Sequence, residues 1–466
     1  MILLIYSFLL VSSVVGRLPP RDPAGASKSN LLGETLNPNG YKYDELYIDV
    51  PLDHFTFTSA KKFPLRYFLN KENYRSGGPI LFYTGNEGKL EGFAENTGFM
   101  WDIAPELGAA VVFVEHRFYG KSKPFGNDSY KTIDKLGYLS AEQALADFAY
   151  VGQFLKREKL PGAHDSALIA FGGSYGGMLA AWFRIKYPHI VDGSIAASAP
   201  IFWFPDSKID AGAFDFLEPK SEVKTPEDVL FLKTFIKGGM EAMAMVNYPY
   251  PTRFLSPLPG WPVKKSCKFF ASAPQSDADS LESMYQMANI YYNSSGATKS
   301  FCANDKVCGD AYAALGDPLG WPFQTCTEMT MPLAAKGSPN DFFWNEGKFT
   351  VDGYRENCVN IFKSTSYTAD ILSPFHGGLE YGATTVPTAS NIVFSNGYLD
   401  PWSAGGYLTE DKVVGTVTSI IIKQGAHHYD LRGAHPLDTA EIKQVRRLEL
   451  AHIKRWIKAK KQGIEE

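Results

Sequence analysis

This sequence has no excess of charge of either sign: 46 Lys and Arg stand against 50 Asp and Glu, for a formal net charge of −4. That balance removes any electrostatic reason to expect nucleic acid or an anionic membrane surface as a partner. Charged residues are also few, at 21% of the chain. Beyond the first residues there is no apolar run long enough to cross a bilayer, so no membrane span is expected after leader removal. The five cysteines, Cys267, Cys302, Cys308, Cys326 and Cys358, include no C-x-x-C pair, which argues against a zinc or redox motif. No internal repeat is visible. The chain is instead rich in apolar side chains, 45% hydrophobic and 14% aromatic over 466 residues. That is enough for a large core and two or three domains.

Residues 1–16 run from Met1 through a short apolar stretch to small residues ending at Gly16, as a signal peptide does, although no positive charge precedes the stretch. The alternative is a membrane anchor, for which the run falls short of the ~20 apolar residues a span needs. Entry into the secretory pathway is therefore expected. There the clustered cysteines would form disulfides stapling one local region and leave one thiol over, with a connectivity the sequence does not reveal. The sequons at Asn127 and Asn293 agree with glycosylation on that route.

Residues 17–39 are rich in Pro, Gly, Asn and Ser and read as an arm or propeptide. From residue 40 to 200 short apolar runs alternate with helical patterns. Pro79–Thr84, Ala109–Val114, Ala167–Phe171 and Ser194–Ser198 read as strands buried on both faces. A helix is expected from Ser140, with a capping box Ser140-x-x-Gln143 and apolar Ala144, Leu145, Phe148 and Phe154. Another is expected from Met178 to Tyr187, stopped by Pro188. Residues 201–385 break this rhythm and read as an inserted, largely helical lid containing every cysteine, with one helix over Asp228–Met245. The strand pattern returns in 386–466, at Asn391–Phe394 and Val417–Ile422, before a terminal helix capped by Asp438-x-x-Glu441 and reaching about Ile457. The fold class expected is α/β, with a parallel sheet split by the insertion.

Gly172-Gly-Ser174-Tyr-Gly176 follows one of these strands and opens a helix. This G-x-S-x-G pattern suits a nucleophilic serine on a tight strand-to-helix turn, where flanking bulk would clash. The turn would also aim the Tyr175 N–H at a developing oxyanion. The plainer reading is a glycine-rich turn with an idle serine. An orienting acid and a base should follow in that chain order. Asp400 comes just after the strand at 391–394, and His427 and His428 come just after the strand at 417–422. Asp400 could instead be an ordinary turn residue before Pro401. The two histidines could be a metal pair, but nothing nearby completes a ligand set, so neither metal nor cofactor is expected. Which histidine faces Ser174 stays open. If the other lies near it, that histidine and Arg432 would hold positive charge beside the base and keep it neutral in mild acid. A second oxyanion donor is sought in the loop after the strand at 79–84, at Gly85 or Asn86. Glu115-His116-Arg117 reads as buried structural polarity.

These segments give the chain a wider likeness. Phe82–Gly88, Glu115–Ser122, Gly172–Leu179, Tyr248–Pro251 with Pro257–Pro259, Cys326–Glu328, Ser395–Trp402 and Gly425–Arg432 together resemble the lysosomal Pro-X carboxypeptidase and dipeptidyl peptidase II family of serine peptidases. The resemblance implies an α/β-hydrolase core with a helical lid and a lysosomal or extracellular location. It also implies exopeptidase action on peptides next to proline, removing a C-terminal residue or an N-terminal dipeptide. It assigns Ser174, Asp400 and His427 as the triad, and so prefers His427 to His428. Between Pro200 and Tyr248 the chain is shorter than the family pattern and lacks cysteines found there. An esterase on the same fold and a catalytically silent binding protein are the competing readings, and a homodimer stays open.

Overall fold

The computed structural model describes residues 40–204, 226–272, 275–294, 296, 316, 319–332, 349–368, 386–408 and 416–464. The expected leader and arm over 1–39, and Cys302 and Cys308, lie outside them. Eight strands are present: β1 (Asp44–Pro51), β2 (Lys62–Asn70), β3 (Ile80–Thr84), β4 (Ala110–Val114), β5 (Leu168–Gly173), β6 (Gly193–Ala197), β7 (Ile392–Gly397) and β8 (Val417–Ile422). They make one sheet in the order β1-β2-β4-β3-β5-β6-β7-β8. β1 and β2 pair antiparallel, as do β2 and β4, and all later pairs are parallel. This is an α/β-hydrolase core. The β1–β2 hairpin, absent from the sequence reading, sits at the sheet edge, where β1 exposes residues along its length. Such an edge strand lacks the continuous apolar run of the inner strands.

Every residue of β3 and β4 is buried, because helices cover both faces. Alternate side chains feed two cores: Ile80 and Phe82 pack on one face, Leu81 and Tyr83 on the other. Each large side chain so buried contributes about 1.5–3 kcal/mol. On the sheet sides lie α1 (Leu90–Asn96), α2 (Gly98–Leu107), α3 (Ala141–Phe154) and α4 (Tyr175–Lys186). Between β6 and β7 the described residues hold helices and one isolated bridge, Thr252–Leu258. The longer helices are α5 (Pro226–Met245), α6 (Asp277–Tyr292), α7 (Gly320–Thr327) and α8 (Val351–Ile361). A disulfide joins Cys326 of α7 to Cys358 of α8, while Cys267 is free and exposed. No helix among the described residues is long and apolar enough to cross a membrane.

Three local expectations need correction. Ser140 caps α3 by accepting from the Gln143 N–H, but the Gln143 side chain turns away to Asp53 and so does not close the box. α4 begins at Tyr175, three residues early, because the glycines after Ser174 are already helical. The C-terminal helix α9 (Ala440–Gln462) is capped by Thr439, whose hydroxyl accepts from the Ile442 N–H at 3.1 Å. Asp438 is drawn away by Arg446 at 2.6 Å and by the His435 N–H at 2.8 Å. The helix also extends past Ile457 to Gln462.

On the inner face of α9, Glu449 is fully buried. Burial, and then the neighbouring Asp430 carboxylate, push its pKa well above the ordinary 4.5, against the pull of Arg446. A folded-state value above the unfolded one means that stability from this group is full in acid and is lost as pH rises. Glu449→Gln should therefore narrow the gap between melting temperatures at pH ~5 and pH ~7.5, chiefly by raising the second value. A gap as wide as in the unaltered protein would show that Glu449 does not titrate in this way.

Candidate active site

β5 delivers the chain to Ser174 in a conformation that few non-glycine residues adopt, φ 59° and ψ −129°. The Ser174 N–H donates to the Ala197 carbonyl at 3.0 Å, and its carbonyl accepts from the Met178 N–H at 3.0 Å. Strand and helix meet so closely here that a Cβ on Gly172 would lie 1.9 Å from the Gly176 carbonyl oxygen. One on Gly176 would lie 2.1 Å from Asn86 Oδ1. The turn is therefore restricted to glycine on both sides of the serine.

Asp400 stands just past β7 and is 3% exposed. Its Oδ1 accepts from the Trp402 N–H at 3.0 Å, leaving Oδ2 to meet His427 Nδ1 at 2.7 Å. His427 is held by its backbone. Its N–H donates to the Met245 carbonyl at 3.0 Å and its carbonyl accepts from Tyr248 OH at 2.9 Å. A neutral ring paired this way donates from Nδ1 to the carboxylate and presents the Nε2 lone pair. That Nε2 is buried and takes no hydrogen bond. The structure thus joins Asp400 to His427 and leaves Ser174 without a hydrogen bond to the imidazole. In unliganded sites such contacts commonly tighten only when substrate binds. Turn and loop nonetheless touch, for a Cβ on Gly173 would come within 2.8 Å of the His428 ring.

His428 does lie beside His427, with ring centroids 4.6 Å apart. Its N–H donates to Ser198 Oγ at 2.8 Å. The sequence reading gave it a share of positive charge, and this is corrected: burial first, then the charges of His427 and Arg432, push its pKa well below 6.5. Its protonation is thus disfavoured, and Arg432 supplies fixed positive charge nearby. Arg432 donates to Asn96 Oδ1 at 2.7 Å and to Thr252 Oγ1 at 3.2 Å, and covers the Tyr248 ring at 4.7 Å.

In the loop after β3, where a second oxyanion donor was sought at Gly85 or Asn86, the two positions differ. The Gly85 N–H extends the parallel ladder, donating to the Val114 carbonyl at 3.0 Å, and so is not available to an oxyanion. The Asn86 and Tyr175 N–H groups have no backbone acceptor among the described residues. The Asn86 side chain, which sequence reasoning missed, ties this loop to the elbow. Its Nδ2 donates to the Gly173 carbonyl at 2.7 Å and its Oδ1 accepts from Tyr83 OH at 2.8 Å. Only the spacing Tyr83-x-x-Asn86 hinted at the second bond.

Below the elbow, Tyr175 OH donates to His116 Nε2 at 3.1 Å and accepts from Gln324 Nε2 at 2.8 Å. Gln324 also donates to Glu328, whose carboxylate caps α3 through the Ala141 N–H at 2.9 Å. Glu115 is buried and ion-paired to Arg66, and Arg117 holds Asp147 with two hydrogen bonds of 2.6 and 2.7 Å. Of the sequons, Asn127 is exposed and Asn293 half-buried at the end of α6.

With this geometry in view, likeness to known proteins can be stated. The family model described as serine carboxypeptidase S28 matches residues 50–215 and 208–449. A prolyl carboxy peptidase like protein 5 of Caenorhabditis elegans is 56% identical, with 94% of each chain covered. The lysosomal Pro-X carboxypeptidase of Mus musculus is 40% identical over 98% of this chain and 97% of its own. The human protein of that name is 38% identical over the same shares.

Asn86→Ala would remove the amide that bridges the Gly173 carbonyl and the Tyr83 hydroxyl in the interior. A loss of about 2–4 kcal/mol in unfolding free energy is expected from guanidinium titration. A loss below ~1 kcal/mol would mean that other contacts hold the loop.

Proposed function

Because the chain belongs to the serine carboxypeptidase S28 family, we propose that it is a serine exopeptidase that releases the C-terminal residue following proline. The reading rests on one observation above all: a buried imidazole oriented by Asp400 at 2.7 Å, with Nε2 free, beside a strained serine turn. In this mechanism Ser174 Oγ attacks the prolyl carbonyl while His427 Nε2 takes its proton. Asp400 stabilises the imidazolium, and the Tyr175 and Asn86 N–H groups receive the oxyanion. Collapse breaks the C–N bond, and the leaving amine takes the proton from His427. Water then attacks the prolyl ester with His427 again as base, releasing the peptide acid and restoring Ser174. The likeness to proteins named lysosomal supports a lysosomal or secretory setting, and the segment between β6 and β7 would cover the site as a lid.

The direct test is a pair of assays at pH ~5, the acid range in which a buried base with a nearby cation stays competent. One uses a peptide ending in Pro-Phe, the other an X-Pro arylamide. Release of Phe with little action on the arylamide is expected. The reverse would replace this reading with dipeptidyl peptidase action, and hydrolysis of simple acyl esters alone would favour an esterase. Ser174→Ala should abolish both Phe release and covalent labelling by a fluorophosphonate.

Arg432 places a positive charge beside the histidine pair and is one of the causes that lower His428. Replacing Arg432 by Met should move the acidic limb of the kcat/KM profile to higher pH. An unmoved limb would exclude this role.

A further inference from the structure

Glu87 follows Asn86 in the loop after β3. Its Oε2 is buried and has no hydrogen-bond partner. A buried polar atom without a partner carries a desolvation penalty and calls for an explanation. Glu87 lies in a loop that borders the elbow, where Asn86 bonds the Gly173 carbonyl, and its charge acts on His427 after β8, Tyr175 at the start of α4 and Tyr83 on β3. Nothing in the proposed proton transfers uses it.

A peptidase that removes a single C-terminal residue has a second recognition problem. The terminal carboxylate belongs to the residue whose nitrogen is being expelled, so it lies within about 5 Å of the attacked carbon. Whatever receives it must border the oxyanion donors, and position 87 adjoins one of them. The cation of the catalytic loop, Arg432, is already engaged by Asn96, Thr252 and the Tyr248 ring. A protonated carboxyl would serve in place of a cation, because its O–H donates to a carboxylate in a short, charge-assisted bond.

We propose that Glu87, in its carboxylic acid form, donates a hydrogen bond from its buried oxygen to the terminal carboxylate of the substrate. This rests on the carboxypeptidase reading above and supplies the group that recognises the chain end. Burial raises Glu87 above the ordinary carboxyl range, against the opposing effects of its own N–H, the Asn86 amide and the charge on His427. As pH rises Glu87 loses its proton, and the donor becomes a negative charge facing a negative charge. Acid pH then favours substrate binding independently of the state of the catalytic base.

The experiment compares a peptide ending in Pro-Phe with the same peptide ending in Pro-Phe-amide, which lacks the anion. The unaltered enzyme should prefer the acid over the amide at pH ~5 by about 10- to 100-fold in kcat/KM, mostly through KM, and that preference should fall as pH is raised. Glu87→Ala should abolish the preference throughout. Glu87→Gln, which keeps an N–H donor and cannot ionise, should retain a preference at pH ~5 and carry it unchanged to pH ~7. An acid-to-amide ratio in Glu87→Ala equal to that of the unaltered enzyme would overturn the proposal, as would a Glu87→Gln ratio that still falls with pH. Failure of the unaltered enzyme to release Phe or Phe-amide from either peptide would instead remove the carboxypeptidase reading itself.

Discussion

At positions 172 and 176 there is no room for a β-carbon, and the geometry of the site depends on that absence. The strand carrying Gly172 turns into a helix so abruptly that its α-carbon lies against the Gly176 carbonyl, with the Asn86 side chain closing the other side. The strain at Ser174 persists because its neighbours over-determine it: the Ala197 carbonyl holds its N–H and Met178 its carbonyl. The consequence is a hydroxyl lifted from the end of a buried strand, beside the first free N–H groups of a helix. The rest of the site is arranged around a hydroxyl that cannot retreat.

The sheet brings the other two members of the proposed triad to the same edge. β5, β6, β7 and β8 are neighbours and parallel, so residues that follow β5, β7 and β8 all emerge at their carboxyl ends. Parallel register converts separations of hundreds of residues into adjacency, which is why ligand and catalytic groups gather at such edges. The residues between β6 and β7 also reach in. Met245 and Tyr248 hold the His427 backbone, Thr252 engages Arg432, and Gln324 reaches Tyr175 beneath the elbow. The residues between β6 and β7 thereby help to fix His427 as well as bordering it.

A second theme is the number of acids placed where ionisation is unfavourable. Burial raises Glu87, Glu115, Asp430 and Glu449, and it raises Glu95 to about 8. Arg66 compensates Glu115 with a direct ion pair, whereas Glu449 faces another carboxylate. For the carboxyls raised in this way and not compensated by a cation, protonation in acid relieves the cost of burial. The lysosomal relatives fit that chemistry, which here arises from packing alone.

Much of this was readable from the chain. The inner strands, the glycine pattern around Ser174 and the strand-end positions of Asp400 and His427 are local signals, each carried by a few consecutive residues whose side chains dictate backbone conformation. The choice between His427 and His428 was not among them and came from likeness to a family. Only tertiary structure decided which groups are free and which are charged. The Gly85 N–H is lost to Val114 and Asp438 is drawn from its cap by Arg446. Protonation of His428 is disfavoured, and Asn86 is bound to a carbonyl 87 residues away. Hydrogen-bond partnership and desolvation depend on groups distant in sequence, and the periodicity of neighbouring residues contains no record of them.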